Sequence, residues 1–277
     1  MQCRICEGRS IKIKELSEYN AYLCQNCLLV QRIPLYQTHE ERFISNEGYD
    51  WSLVEEKEFQ ERVKNKEIRW NSFIQRVPSK KIDTVLDFGS GYGPLLEYLK
   101  EIKIDAVGIE PSKKNSQISL DKGHKVINGY LSSNTFKEES FDIINICALM
   151  QYIPNIKDIF IILNKILKDD GYIFIEDKQS YYSTFNVLNN LKYELTAQYF
   201  STISLKNLLS LTGFEVLYYR NFFGHFYLIA RKSKKTDKLK GFYWLERIRV
   251  FCLPLTDFVF TSLKSILDRV YNIFATP

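Results

Sequence analysis

The chain has no run of about 18 apolar residues, so no membrane-spanning helix is expected. Its N-terminus is polar and carries cysteines, with no basic stretch leading into an apolar one, and no signal peptide is read there. Charge of one sign is scarce too. The 277 residues hold 38 Lys+Arg against 33 Asp+Glu, a formal charge of +5. Six basic residues and one acid fall within residues 231–240 (RKSKKTDKLK), so the excess is local, and nucleic acid is not the expected partner. Histidine is limited to His39, His124 and His225, each read as structural or solvated. What remains is ordinary for a globular protein: 45% hydrophobic and 26% charged, with length for one α/β domain plus small additions.

Cysteine is present in a pattern. Cys3-x2-Cys6 and Cys24-x2-Cys27 are two tight knuckles separated by 17 residues, and four thiolates can close a tetrahedral shell around Zn2+. A segment of about 30 residues cannot build an adequate core alone. Structural zinc contributes on the order of 10 kcal/mol, enough to hold it. A redox pair or a catalytic zinc are the functional alternatives, but four cysteines leave no open coordination position. The spacing favours metal over disulfides, which fits a reducing, cytoplasmic setting. Cys147 and Cys252 lie in apolar stretches and are read as core residues.

Residues 84–94 (TVLDFGSGYGP) organise the rest. Thr84, Val85 and Leu86 read as a short buried parallel strand ending on the carboxylate of Asp87. Gly89, Ser90, Gly91 and Gly93 form the turn, and Leu95, Leu96 and Leu99 recur at helical spacing. Strand, acid, glycine turn and helix make the nucleotide-cofactor half of a doubly wound sheet. A dinucleotide would place pyrophosphate on this turn, with G-x-G-x-x-G spacing. Here the spacing is G-x-G-x-G, and Asp87 would repel phosphate but attract an ammonium or sulfonium group. Glu110 ends the next strand (AVGIE), where a carboxylate can take both ribose hydroxyls. A cationic head plus a ribose describes S-adenosylmethionine (SAM).

At these residues the chain resembles the class I SAM-dependent methyltransferases, whose first motif, V-L-D-x-G-x-G-x-G, is matched without a gap. The resemblance implies a Rossmann-like, doubly wound, mostly parallel seven-stranded sheet with SAM at its carboxyl edge. It covers about residues 1–232 and implies cofactor contacts from Asp87, Gly89, Ser90, Gly91, Gly93, Glu110, Pro111 and Ala148. Residues 128–131 (NGYL) occupy the place that contacts adenine, so Tyr130 or Leu131 would flank the base. The order of cysteine knuckles, aromatic connector and core is similar to a particular branch. That branch includes sugar C-methyltransferases and methyltransferases encoded with bacterial surface-polysaccharide genes, which implies a sugar-linked acceptor. Tyr49 in the connector then becomes a candidate lid residue.

Residues 53–77 read as one amphipathic helix with Val54, Ile68, Phe73, Ile74 and Val77 on its apolar side. A helix over 156–168 stopped at Asp169-Asp170-Gly171 and a strand over 172–176 are expected further on. The loop at 147–155 (CALMQYIPN) should face the methyl group. Relatives often carry Glu-His where this chain has Gln151-Tyr152, and a second histidine before the position of Phe200 is also missing. The Asn/Asp-Pro-Pro-Tyr/Phe loop of DNA and protein-amide N-methyltransferases is absent. Tyr152, Glu176, Tyr181 and Tyr182 are the remaining candidates for a proton acceptor at the mouth, Tyr152 first.

The domain plan is a zinc-binding module (1–30), an aromatic connector and helix (31–78), the SAM-binding domain (79–232) and a tail (233–277). The tail is basic, then amphipathic, which points to packing, self-association or contact with the inner face of a membrane. A SAM-binding scaffold without turnover, and an RNA or protein methyltransferase, stay open as alternatives.

Overall fold

The computed structural model describes residues 1–15, 19–33, 54–78, 81–178, 196–222 and 225–233. The strands are β1 (Ser10–Glu15), β2 (Asn20–Cys24), β3 (Val30–Ile33), β4 (Thr84–Phe88), β5 (Asp105–Glu110) and β6 (Lys125–Asn128). They continue with β7 (Phe141–Cys147), β8 (Leu167–Lys178), β9 (Gln198–Tyr199), β10 (Phe214–Phe222) and β11 (His225–Lys232). The helices are α1 (Glu56–Ile74), α2 (Pro94–Glu101), α3 (Lys113–Asp121), α4 (Ile156–Ile166) and α5 (Thr202–Leu211).

Seven strands form one sheet in the order β10-β11-β8-β7-β4-β5-β6. β8, β7, β4, β5 and β6 run parallel, and the β10–β11 pair closes the sheet antiparallel on β8. From β4 the chain winds outward to β5 and β6, then returns to lay β7 on the other side of β4. The switch point where such sheets bind ligands therefore lies between β4 and β7. This is the Rossmann-like methyltransferase architecture that the strand–turn–helix motif implied.

Side chains alternate across the pleat, and each face has its own core. One face packs Val85, Ile143, Phe174 and Ile229 against α1 and α2. Phe73 stacks on Phe174 at 4.7 Å between centroids, with Trp70 edge-on at 5.7 Å. The other face packs Leu86, Ile144, Ile173 and Leu228 against α4, α5 and the cysteine segment, including Ile5, Leu28 and Leu29. That segment builds a second sheet, β1-β2-β3-β9, whose last strand comes from beyond β8. Val30 pairs with Tyr199 and Gln31 with Gln198.

Two expectations are corrected. Val54, Phe73, Ile74 and Val77 pack against the core as expected, but α1 spans only Glu56–Ile74, Ile68 is 59% exposed, and the buried stripe is Phe59, Val63, Trp70 and Phe73. Helix α4 ends at Ile166, and 167–178 is one strand rather than a helix end, a turn and a strand. The Asp169-Asp170-Gly171 stop survives as a register break. Phe141 pairs with Leu167 but Ile143 with Tyr172, so β8 bulges where the turn residues fall.

Candidate active site and cysteine cluster

At the switch point Asp87 and Asn145 are in register on β4 and β7, and Asn145 Nδ2 donates to Asp87 Oδ1 at 2.8 Å. Both are buried. The chain then turns through Gly89 (φ 82), Gly91 (φ 55) and Gly93 (φ 93), left-handed positions that glycine adopts without strain. A Cβ added to Gly91 would meet no atom within 4 Å, so the middle of the turn faces open space. A Cβ on Gly93 would instead lie 2.4 Å from Ser119 Oγ. Ser90 is buried, and its hydroxyl has no hydrogen-bond partner among the described residues.

Across the turn, Glu110 accepts from the Gly91 amide at 2.9 Å and the Ser112 amide at 2.8 Å. Burial pushes the Asp87 carboxyl up, against the pull of Lys66 and Asn145. Burial also pushes the Glu110 carboxyl up, against the Ser112 and Gly91 amides. A cationic ligand beside Asp87 would relieve that cost.

The third wall comes from α1. Lys66, Arg69, Trp70, Phe73, Leu95, Asn145 and Glu176 line one cleft. Arg69 is ion-paired with Glu176, whose Oε2 lies 3.8 Å from the Cys147 sulfur. Burial works against the charge on Lys66, but Cys147, Asp87 and Glu176 outweigh it and hold the ammonium above its ordinary range. Tyr227, Glu176 and Cys147 lie in one cross-strand row at the sheet's carboxyl edge. Cys147 is thus half-buried beside Lys66 and Glu176, not the apolar core residue expected, because β7 ends there and turns into the cleft.

After β7, Ala148 adopts φ 52 and its amide donates to the Glu176 carbonyl at 2.8 Å. Left-handed backbone at a non-glycine residue is costly and concentrates at functional sites. A single 3-10 turn, Met150–Tyr152, follows and leaves Tyr152 half-buried. Leu131 is buried in the core, Tyr130 is 48% exposed beside the edge strand β6, and Pro111 follows Glu110 into α3. Tyr49, Tyr181, Tyr182, Cys252 and residues 234–277 lie outside the described residues.

Lys66, Arg69, Asn145 and Tyr227 were not singled out from the sequence. Lys66 left a signal: it falls at the 59-63-66-70-73 spacing of the buried stripe, where only a charge with partners would be tolerated.

The four predicted metal ligands meet on the far face. The sulfurs of Cys3, Cys6, Cys24 and Cys27 all lie within 4.8 Å of one another. Cys3–Cys27 is 3.6 Å and Cys6–Cys24 is 3.5 Å. Amides of Asn26 and Cys27 each point at Cys24 Sγ at 3.4 Å, the arrangement of a thiolate knuckle. Four soft donors and a closed shell could hold zinc.

The fold and the acid–glycine–acid turn define a nucleotide-cofactor enzyme of the class I methyltransferase architecture. A family model described as "Methyltransferase domain" matches residues 58–219, more than half of the chain. The chain belongs to that family of methyltransferases. A SAM-dependent methyltransferase from Mesorhizobium loti is 13% identical, with a TM-score of 0.50 over 59% of this chain and 97% of that one. A SAM-dependent methyltransferase from Archaeoglobus fulgidus is 17% identical, with a TM-score of 0.50 over 62% and 94%. The PH0226 protein of Pyrococcus horikoshii is 14% identical, with a TM-score of 0.52 over 64% and 92%. At these identities the likeness is one of fold. A search of curated proteins finds no match to the chain. Among the described residues no helix is long and apolar enough to cross a membrane.

Proposed function

We propose that this methyltransferase acts on a sugar-linked small molecule, a nucleotide sugar or polysaccharide precursor, and carries a structural zinc at its four N-terminal cysteines. The observation that carries the cofactor half is the Asp87–Asn145 pair beside the open middle of the glycine turn. The unpartnered Ser90 hydroxyl and the open space at Gly91 suit a bound nucleoside. Asp87 would then hold the cofactor's ammonium, and Lys66 its carboxylate. Glu110 would hold the ribose hydroxyls, Gly89, Ser90, Gly91 and Gly93 would shape the turn around them, and Pro111 with Tyr130 or Leu131 would border the base. Ala148 holds the loop against β8. When bound, SAM supplies an electrophilic methyl on a sulfonium sulfur.

What the chain must do is place an acceptor in line with that methyl and keep water out, from which much of the rate can come. Glu176 is committed to its ion pair with Arg69, so it orients the acceptor rather than taking its proton. Tyr152, on the turn after β7, is the first candidate for the proton acceptor, with Tyr181 and Tyr182 outside the described residues. The sugar-linked class is supported by the resemblance of the cysteine–connector–core order.

A SAM-dependent transfer assay against nucleotide-sugar and polysaccharide pools, read by mass shift, tests the proposal. A gain of one methyl on a sugar-linked product is expected, and methylation of RNA or protein alone would overturn the acceptor class. Tyr152→Phe is expected to lower turnover at least about tenfold with SAM affinity kept. Near-normal turnover would remove Tyr152 as the base.

A further inference from the structure

Arg4 stands between the first two cysteines and reaches out of their knuckle. Its Nη1 donates to the Pro154 carbonyl and to Gln198 Oε1, both at 3.4 Å, and its Nη2 donates to the Arg32 carbonyl at 3.1 Å. Its own amide donates to Gln31 Oε1 at 3.1 Å, and Gln31 Nε2 donates to the Gln2 carbonyl at 3.0 Å. Gln198 is fully buried, and its Nε2 donates to the carbonyls of Met150 at 3.0 Å and Ile153 at 2.8 Å. The next residue back, Ala197, donates its amide to the Gln151 carbonyl at 2.9 Å. From the other side Asp177 Oδ2 accepts the Met150 amide at 2.9 Å, one residue from Glu176.

Five backbone groups of the loop after β7 are therefore bonded by four residues, and two of those, Arg4 and Gln198, touch each other. Buried carbonyls deprived of such donors cost free energy, so the loop has one arrangement while the donors hold theirs. Arg4 sits inside the Cys3–Cys6 knuckle, so whatever closes that knuckle also helps to set where Arg4 reaches.

We propose that Arg4 is a positioning residue: with Gln198 it fixes the loop bearing Gln151 and Tyr152, so that metal at the four cysteines sets the acceptor side of the cleft and leaves the cofactor side alone. This rests on the reading of the cysteines as a zinc site and of the loop as the acceptor wall. The Arg4 network reaches the face of the sheet opposite α1, and none of its bonds involves Asp87, Glu110 or the glycine turn.

The test compares full-length, zinc-loaded wild type with Arg4→Met, Arg4→Lys and Gln198→Glu. Metal content, calorimetric SAM affinity and amide hydrogen exchange are the measurements. Arg4→Met is expected to keep one zinc per chain and SAM affinity within about threefold, while the Met150, Tyr152 and Ala197 amides exchange at least about tenfold faster. Arg4→Lys should recover part of that protection. Gln198→Glu keeps an acceptor for Arg4 but loses both donated bonds, so it should loosen the same amides, and it serves if Arg4→Met fails to fold. Unchanged exchange at those amides would overturn the proposal. So would faster exchange spread through β4 together with lost SAM binding, the mark of a merely structural residue. Wild type without zinc would sink the metal reading, yet the exchange comparison would still judge Arg4.

Discussion

Two buried polar clusters flank the same sheet, and they differ in what they leave unmet. Around β4 and β7, Asp87, Glu110 and Ser90 are buried with capacity to spare: burial raises both carboxyls, and the serine hydroxyl has no partner among the described residues. Between the cysteine sheet and the loop after β7, Gln31 and Gln198 are equally buried, but their amides bond to Arg4, Gln2, Met150 and Ile153. The first cluster is held ready for something the chain does not contain. In the second, both glutamines are bonded within the chain itself. Burial of polar groups alone marks neither a site nor a scaffold; the balance of donors and acceptors separates them.

That contrast can be broken from the scaffold side first. Stripping the zinc proposed at the cysteines from the full chain should have the largest effect, on the order of 10 kcal/mol of module folding, seen as a drop in the unfolding midpoint. An unchanged midpoint in a chain shown to have lost zinc would mean that the cysteines carry no structural metal.

Asp142 sharpens the comparison, because it is buried on the same strands at the opposite, amino end. Its Oδ2 accepts from the Thr84 amide at 3.0 Å, the Asp83 amide at 3.1 Å and Thr84 Oγ1 at 2.9 Å, and pairs with Lys168 at 3.0 Å. Burial pushes this carboxyl up, but Lys168 and the Asp83 and Thr84 donors outweigh it and hold it well below the usual range. Its stabilisation is thus present above the unfolded carboxylate value near about 4 and is lost as pH falls below that. Asp142→Ala should cost about 3 kcal/mol of stability and flatten the acid limb of the stability curve, with SAM affinity unchanged. A weakened SAM affinity at equal folded fraction would count against a purely structural role.

Lys66→Met probes the ready cluster with a smaller expected effect. Loss of a charge-assisted contact should weaken SAM binding by about 1.5 kcal/mol, roughly tenfold, with the folded state intact. Calorimetry on the folded variant checks this, and unchanged affinity would remove Lys66 from the cofactor.

The cofactor half was legible in the sequence because its signal is local. Strand, acid, glycine turn and helix follow one another within 18 residues, from Thr84 to Glu101, and each step has a short-range cause. The cysteine pairs were legible for the same reason. The register of α1 was not, since Lys66 occupies an apolar position and breaks the stripe that periodicity looks for. The bulge in β8 was hidden because Gly171 reads as a stop, yet it packs within a continuous strand, where a Cβ would lie 2.7 Å from Leu167 Cδ1. Least legible was the joining of the cysteine sheet to the catalytic one. It depends on a two-residue strand, β9, too short to leave a pattern and paired with a partner distant in sequence. The acceptor side is hardest to read from sequence, because the Tyr152 loop is bonded by Arg4, Asp177 and Gln198, which lie far apart along the chain.

In the proposed site charge selects the cofactor, with Asp87 favouring a cationic head over a pyrophosphate. Calorimetric titration of wild type and Asp87→Asn with SAM, and separately with NAD, tests it most directly. Wild type is expected to bind SAM and not NAD, and Asp87→Asn to weaken SAM binding by about 2 kcal/mol, roughly thirtyfold. Binding of NAD without SAM, or an Asp87→Asn chain that holds SAM as tightly as wild type, would contradict it.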